Sequence, residues 1–184
     1  LSAAKPQILD GDGAYYRAAV SWVSRAISVA GRGIYSHVGT FLWVDGELFI
    51  HECREGYGCR LVLAEREVRT YPGTIDWHRT NAPDYTMRMS VRRRALSKLG
   101  KVYDWRGVFQ AGCFHVAGLR WLVRVDTEDT AISKPEDPEH CSYCRADLWD
   151  AAGFDLCPHL SNRLTEPNDL ARSAGEAYQC TLVP

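Results

Sequence analysis

No stretch of the 184-residue chain approaches the apolar length that carries a helix across a bilayer, and Leu1 to Pro6 lack a basic segment followed by an apolar one. The reading is therefore a soluble protein with no visible leader. An imbalance of charge is also missing: 22 Lys and Arg stand against 23 Asp and Glu, a formal net charge of -1. No global field recruits nucleic acid or an anionic membrane. The longest basic run, Arg92-Arg93-Arg94, lies in a helical pattern and reads as a solvated helix face. The Asp10-Gly11-Asp12-Gly13 cluster lacks the further oxygen ligands and closing Glu of an EF-hand, which leaves a turn and excludes that calcium loop. Internal repeats and low-complexity segments are absent as well, so one domain over residues 1–184 is expected.

Cysteine is not scarce. There are seven, an odd number, and several lie in apolar runs where reduced thiols pack well. The reading is a reducing, cytoplasmic setting for the chain as given. At 46% hydrophobic and 11% aromatic residues the composition is that of a globular core.

In chain order, Val20, Val23, Ile27 and Ala30 recur at helical spacing from Tyr16 to a stop at Gly31. Ser36 to Val44 and Glu47 to Cys53 are rich in β-branched and aromatic residues on either side of Asp45-Gly46, the strongest short-range hairpin signal. Further strands are expected at 60–63, 67–71, 75–80 and 178–183. Helices are expected at 85–99, ending at Gly100, and after Pro167. The segment from Lys101 to Trp121 is ambiguous.

Candidate chemistry sits in the segment His140-Cys141-Ser142-Tyr143-Cys144. Cys144, Leu148, Ala151 and Ala152 follow a helical spacing closed by Gly153, so Cys141 falls at a helix N-terminus, where the dipole favours thiolate over thiol. The hairpin supplies a base. A two-residue loop pairs Val44 with Glu47, Phe41 with Ile50, Thr40 with His51 and Gly39 with Glu52. His37 and Glu52 then share a face as diagonal neighbours, with Gly39 leaving space beside the imidazole and His51 pointing to the other face. A carboxylate on a mostly apolar face needs a partner, and an imidazole is a suitable one. Taken singly, a Cys or a His is most simply a packed core residue. Together they make a nucleophile, a base and an orienting carboxylate.

The order His, Glu, Cys is permuted relative to papain-type enzymes. The sequence resembles the permuted NlpC-type papain-like hydrolases, the YiiX-like group, relatives of the lecithin:retinol acyltransferase type. The resemblance is carried by Ile34-Tyr35-Ser36-His37-Val38-Gly39, His51-Glu52-Cys53, Gly100-Lys101-Val102-Tyr103-Asp104-Trp105, Cys141-Ser142 and Thr165-Glu166-Pro167-Asn168-Asp169-Leu170-Ala171. It implies an α+β, circularly permuted papain-like fold: an antiparallel half-barrel sheet with helices packed on it. It further implies Cys141 as nucleophile, His37 as general base, Glu52 as third residue, and Tyr103, Gly39, Ser36 and Ser142 as neighbours of the site. No cofactor and no metal are implied. The substrate class is a peptide-like or lipid amide or ester, and the reaction passes through an acyl-thioester. The sequence departs from the pattern in an opening Gly-Asp element only loosely present at Gly11-Asp12, an acidic insertion before Cys141, and Cys144 close behind the nucleophile.

Two rival readings come from other classes. Cys141, Cys144, Cys157 and His159 are a set that a structural zinc ion would take, making the chain a binding module. Alternatively, Cys141-x-x-Cys144 is a thiol-disulfide redox pair. Neither accounts for His37 and Glu52 sharing a face.

Overall fold

Asp45 and Gly46 both adopt positive φ, 49° and 81°, the backbone that a two-residue hairpin turn requires. The turn joins β2 (Tyr35–Val44) to β3 (Glu47–Arg54). Its register is the expected one: Val44 faces Glu47, Phe41 faces Ile50 and Thr40 faces His51. The structure, a computed structural model, describes residues 1–17, 28, 32–82, 84–116 and 137–184. Around the hairpin stand β1 (Gly13–Arg17), β4 (Gly58–Leu63), β5 (Ile75–Thr80) and β6 (Glu176–Leu182). The six strands form one open sheet in the order β4-β3-β2-β1-β5-β6, antiparallel at each pairing.

Strand alternation sorts the apolar residues onto two faces. One face gathers Tyr15, Val38, Leu42 and Cys53 beneath Cys141, Cys144, Leu148 and Trp149 of helix α4 (Cys141–Asp150). The opposite face gathers Ala14, Tyr16, Phe41, Ile50 and Trp77 with Ala64 and Val68 of helix α1 (Ala64–Thr70). Helices α2 (Tyr85–Ser97), α3 (Trp105–His115) and α5 (Pro167–Arg172), with short 3-10 turns at Lys5–Gln7 and Asn162–Leu164, complete the described elements. Asp84 caps α2, its side chain accepting from the Thr86 N–H, and Gly100 follows the helix with φ 84°.

Three expectations change. Residues 67–71 are not a strand: Glu67 to Thr70 belong to α1, where helix-favouring Ala64, Glu65, Arg66 and Glu67 and an Arg69–Glu65 ion pair outweigh the alternation of polar and apolar residues. Tyr16 does not open a helix but lies in β1, because its ring and that of Tyr15 fill opposite faces of the sheet. Arg17 lies in β1 as well; residues 18–27 and 29–31 of that expected helix lie outside the described residues, as do Trp121 and most of the acidic insertion. Nor are the cysteines all reduced, since Cys53 and Cys59, directly paired across β3 and β4, form a disulfide.

The loosely matched Gly11-Asp12 element is a hub. Its backbone and side chain take hydrogen bonds from groups that would otherwise be buried without partners. The Gly11 carbonyl accepts from Trp149 Nε1 and Arg145 Nη1, each at 3.1 Å. Buried Asp12 accepts from Arg88 at 2.8 Å and from Trp77 Nε1 at 2.9 Å, which explains why these carboxylates serve structure rather than calcium. From α4, fully buried Arg145 reaches Glu176 of β6, Thr40 of β2 at 3.1 Å and Thr80 of β5 at 2.8 Å. It locks the helix to three strands. Removing one partner of such a pair strands the other charge in the core, so Arg145→Met is expected to cost about 3–5 kcal/mol of unfolding free energy. A urea midpoint equal to that of the wild type would contradict this role.

Candidate active site

Helix α4 begins where the extended backbone of His140 (φ -104°, ψ 168°) turns into Cys141. Residues Cys141 to Trp149 are all buried, so packing around the whole circumference, rather than one amphipathic stripe, fixes this helix. Its first turn presents N–H groups that have no intrahelical acceptor. The Ser142 hydroxyl donates to the Thr165 carbonyl at 2.6 Å, tying the helix start to the segment before α5.

His37 and the backbone N–H groups of Val38 and Ser142 stand around the Cys141 sulfur and favour its thiolate. Burial alone would raise the thiol's pKa; the charge of His37 and these donor groups outweigh burial and bring it below the ordinary value. His37 answers in kind. Burial would lower its pKa, but the Cys141 sulfur and the Glu52 carboxylate raise it to about 9. His37 Nε2 lies 2.8 Å from Glu52 Oε2, which leaves Nδ1 as the ring nitrogen available to the thiol. Glu52 is buried, and burial would push its pKa up, yet His37, Arg54 and Arg60 hold it down at about 2. Arg60 donates to Oε1 through Nη2 at 2.7 Å and through Nε at 3.0 Å. The carboxylate thus remains charged and fixes the imidazole.

The structure brings Cys141, His37 and Glu52 together, with Ser36, Tyr103 and Ser142 beside Cys141 on a cavity of about 340 Å³. Most of the remaining wall is apolar, from Val108, Phe109, Ala111, Val116 and Pro167. Burial first, then the Cys141 charge, raise the pKa of Tyr103, which stays a neutral phenol. Gly39 plays a different part from the one expected. A Cβ there would lie 2.4 Å from Ile50 Cγ2 and 3.0 Å from the His51 carbonyl, so its missing side chain makes room for β3 rather than for the imidazole.

Two cavity residues escaped the sequence reading. His140 is buried, and burial lowers its pKa to about 4, so it is neutral. Glu166 has a buried Oε2 without a hydrogen-bond partner, and burial, followed by the charges of Asp169 and Cys141, raises its pKa to about 8. It is a neutral carboxyl at pH 7. In the sequence it stands within the Thr165 to Ala171 segment of the resemblance and directly before Pro167, a place that reads as helix capping.

No protein-family model matches the chain, and no curated protein matches its sequence. The fold is YiiX-like. The crystal structure of the metalloprotein YiiX from Escherichia coli O157:H7 matches with a TM-score of 0.66, covering 97% of this chain and 99% of that chain at 14% identity. That likeness concerns the arrangement of elements. No helix among the described residues is long and apolar enough to cross a membrane.

The expected zinc set does not converge. Among the described residues, the His, Cys, Asp and Glu side chains that come together are Cys53, Cys59, Glu139 and Cys144, with ligand atoms within 4.8 Å of one another. Cys141 is engaged with His37, while Cys157 faces Asp169 and Asp155, and His159 is exposed. Nor does the redox pair find its usual setting: among the described residues, the sheet beside Cys141 and Cys144 has no parallel βαβ unit. As thiolates, three sulfurs and a carboxylate are a donor set suited to zinc; here two of the sulfurs are joined as the Cys53–Cys59 disulfide.

The ionisation of Cys141 is directly measurable. Its rate of alkylation by iodoacetamide should rise with pH through a midpoint below that of an ordinary thiol. In Glu52→Gln the imidazolium loses its fixed carboxylate, so the midpoint should move upward. An ordinary thiol midpoint in the wild type, unmoved by Glu52→Gln, would contradict the coupling.

Proposed function

We propose that the chain is a cysteine-dependent acyl-transfer enzyme of the circularly permuted papain-like type: an amidase or peptidase, with esterase or acyltransferase action open to the same site. The observation that carries this reading is the Cys141–His37–Glu52 array, with His37 Nε2 at 2.8 Å from Glu52 Oε2 and the charges of His37 and Cys141 acting on one another. The Cys141 thiolate attacks the carbonyl carbon of an amide or ester. The oxyanion that forms is met by the Cys141 N–H at the helix N-terminus. The His37 imidazolium gives its proton to the departing amine or alcohol, and a thioester remains on Cys141. Neutral His37 then takes a proton from water, whose oxygen attacks the thioester; the acid leaves and the thiolate–imidazolium pair returns. A nucleophile other than water would complete a transfer instead. The apolar cavity wall supports a substrate whose acyl portion is apolar, within the class of peptide-like or lipid amides and esters.

A second reading is favoured by one observation, the convergence of Cys53, Cys59, Glu139 and Cys144. On it the chain is a metal-stabilised binding module, in keeping with the description of YiiX as a metalloprotein. The two readings use different residues.

A panel of p-nitrophenyl esters and peptide p-nitroanilides, quenched in acid and analysed by mass spectrometry, separates them. The acyl-transfer reading predicts an acyl adduct on Cys141, no turnover in Cys141→Ala, and a rate about 10²–10⁴-fold lower in His37→Ala. Slow hydrolysis that is equal in wild type and Cys141→Ala, with no adduct, would leave the binding module as the better account.

A further inference from the structure

The second half of the Cys141-x-x-Cys144 motif has no part in acyl transfer, yet it is not idle packing. Cys144 arrives from α4, Cys53 from β3 and Cys59 from β4, while Glu139 comes from the residue pair that precedes α4. All four are buried. Their ligand atoms lie within 4.8 Å of one another, and tetrahedral zinc with Zn–S bonds near 2.3 Å asks for sulfurs about 3.8 Å apart. We propose that Cys53, Cys59, Cys144 and Glu139 form a zinc site whose occupancy depends on redox state, loaded when Cys53 and Cys59 are thiols and closed when they are joined as the disulfide. This rests on the metal-binding reading above and adds the condition under which the metal enters.

Charge supports the loaded state. Zinc with three thiolates and one carboxylate carries two net negative charges, which would be costly in a core if left alone. Lys98 and Lys101 both bond Glu139, the latter at 2.6 Å, and their two ammonium groups neutralise the complex. Asp147, which also contacts Lys98 at 2.7 Å, is matched by Arg94 at 2.8 Å. The disulfide state excludes the metal because two of the three sulfurs are bonded to each other and carry no thiolate charge. The interconversion balances. A dithiol reductant converts the Cys53–Cys59 bond to two thiols by exchange and leaves as its own disulfide; zinc binding then releases the three thiol protons to solvent as three Zn–S bonds form.

The position gives the site a consequence for the fold around the nucleophile. Cys53 follows Glu52 directly and Cys144 lies one helical turn beyond Cys141. Zinc would therefore tie the strand that carries the orienting carboxylate to the helix that carries the thiolate. The disulfide ties only β3 to β4.

Cobalt(II) is a spectroscopic probe for such a site. The full chain is reduced with a phosphine, which with one water converts the disulfide to two thiols and leaves as phosphine oxide, and is titrated with cobalt(II) under argon. The expected result is one cobalt per chain, with a near-ultraviolet thiolate-to-cobalt band that zinc abolishes and that is absent before reduction. Cys59→Ser, Cys144→Ser and Glu139→Gln should each weaken cobalt binding about tenfold or more, whereas Cys141→Ser should retain the band. Circular dichroism identifies variants that remain folded, and Glu139→Gln, which keeps every sulfur, stands in for any that do not. Equal cobalt binding before and after reduction would overturn the redox condition, and no band in either state would overturn the metal reading as well. A band lost in Cys141→Ser would place the metal on the nucleophile and overturn both this proposal and the acyl-transfer reading.

Discussion

A carboxylate taken out of water has to be surrounded by cations or lose its charge, and Glu52 is such a carboxylate. It is almost wholly buried in β3, with His37 on one oxygen and Arg60 on the other, while Arg54 approaches to 3.5 Å. The remainder of the site follows from this requirement. Because Glu52 stays ionised, it fixes the His37 ring through Nε2 and favours the charged imidazole. The imidazolium favours the thiolate at Cys141, and the helix N-terminus adds its own partial charge. Each charge in this chain makes the next affordable in a buried place.

The sheet is what holds that chain of charges in register. The two-residue turn at Asp45-Gly46 sets which residues of β2 and β3 share a face, and a slip of one residue would send Glu52 to the side of Cys53 and His51. His51 illustrates the other outcome: it lies on the opposite face, near Glu139 and Lys98, and burial lowers its pKa to about 4. The same alternation places Cys53 opposite Cys59 and toward α4. One strand therefore supplies the carboxylate that holds His37 from one face and a sulfur of the buried cluster from the other.

The hairpin, the helix starting at Cys141 and the His37–Glu52 contact were legible because each rests on local rules: turn chemistry, strand periodicity and spacing. What stayed hidden depends on contacts between residues far apart in the chain. Glu67 to Thr70 alternate like a strand, but their helix propensity and the burial of Val68 against the sheet decide the matter. Cys144 has the spacing of a partner for Cys141; only the fold shows that it meets Cys53 and Cys59, some 85 residues or more earlier in the chain. The unpartnered Glu166 oxygen likewise has no sequence signature, since its raised pKa comes from burial beside Asp169 and Cys141. At Gly39 the atoms nearest a would-be side chain belong to β3 rather than to the imidazole, a contact that the local sequence does not reveal.

The central claim is that His37 is a cation because Cys141 is an anion. Nitrogen-15 resonances of the imidazole ring, assigned by comparison with His37→Gln, report this directly across a pH titration. The account predicts that His37 remains protonated through neutrality, titrates at about 9, and shifts to lower pH in Cys141→Ser, where no thiolate faces the ring. A His37 that titrates near the ordinary histidine value of about 6.5 and is unmoved by Cys141→Ser would contradict it.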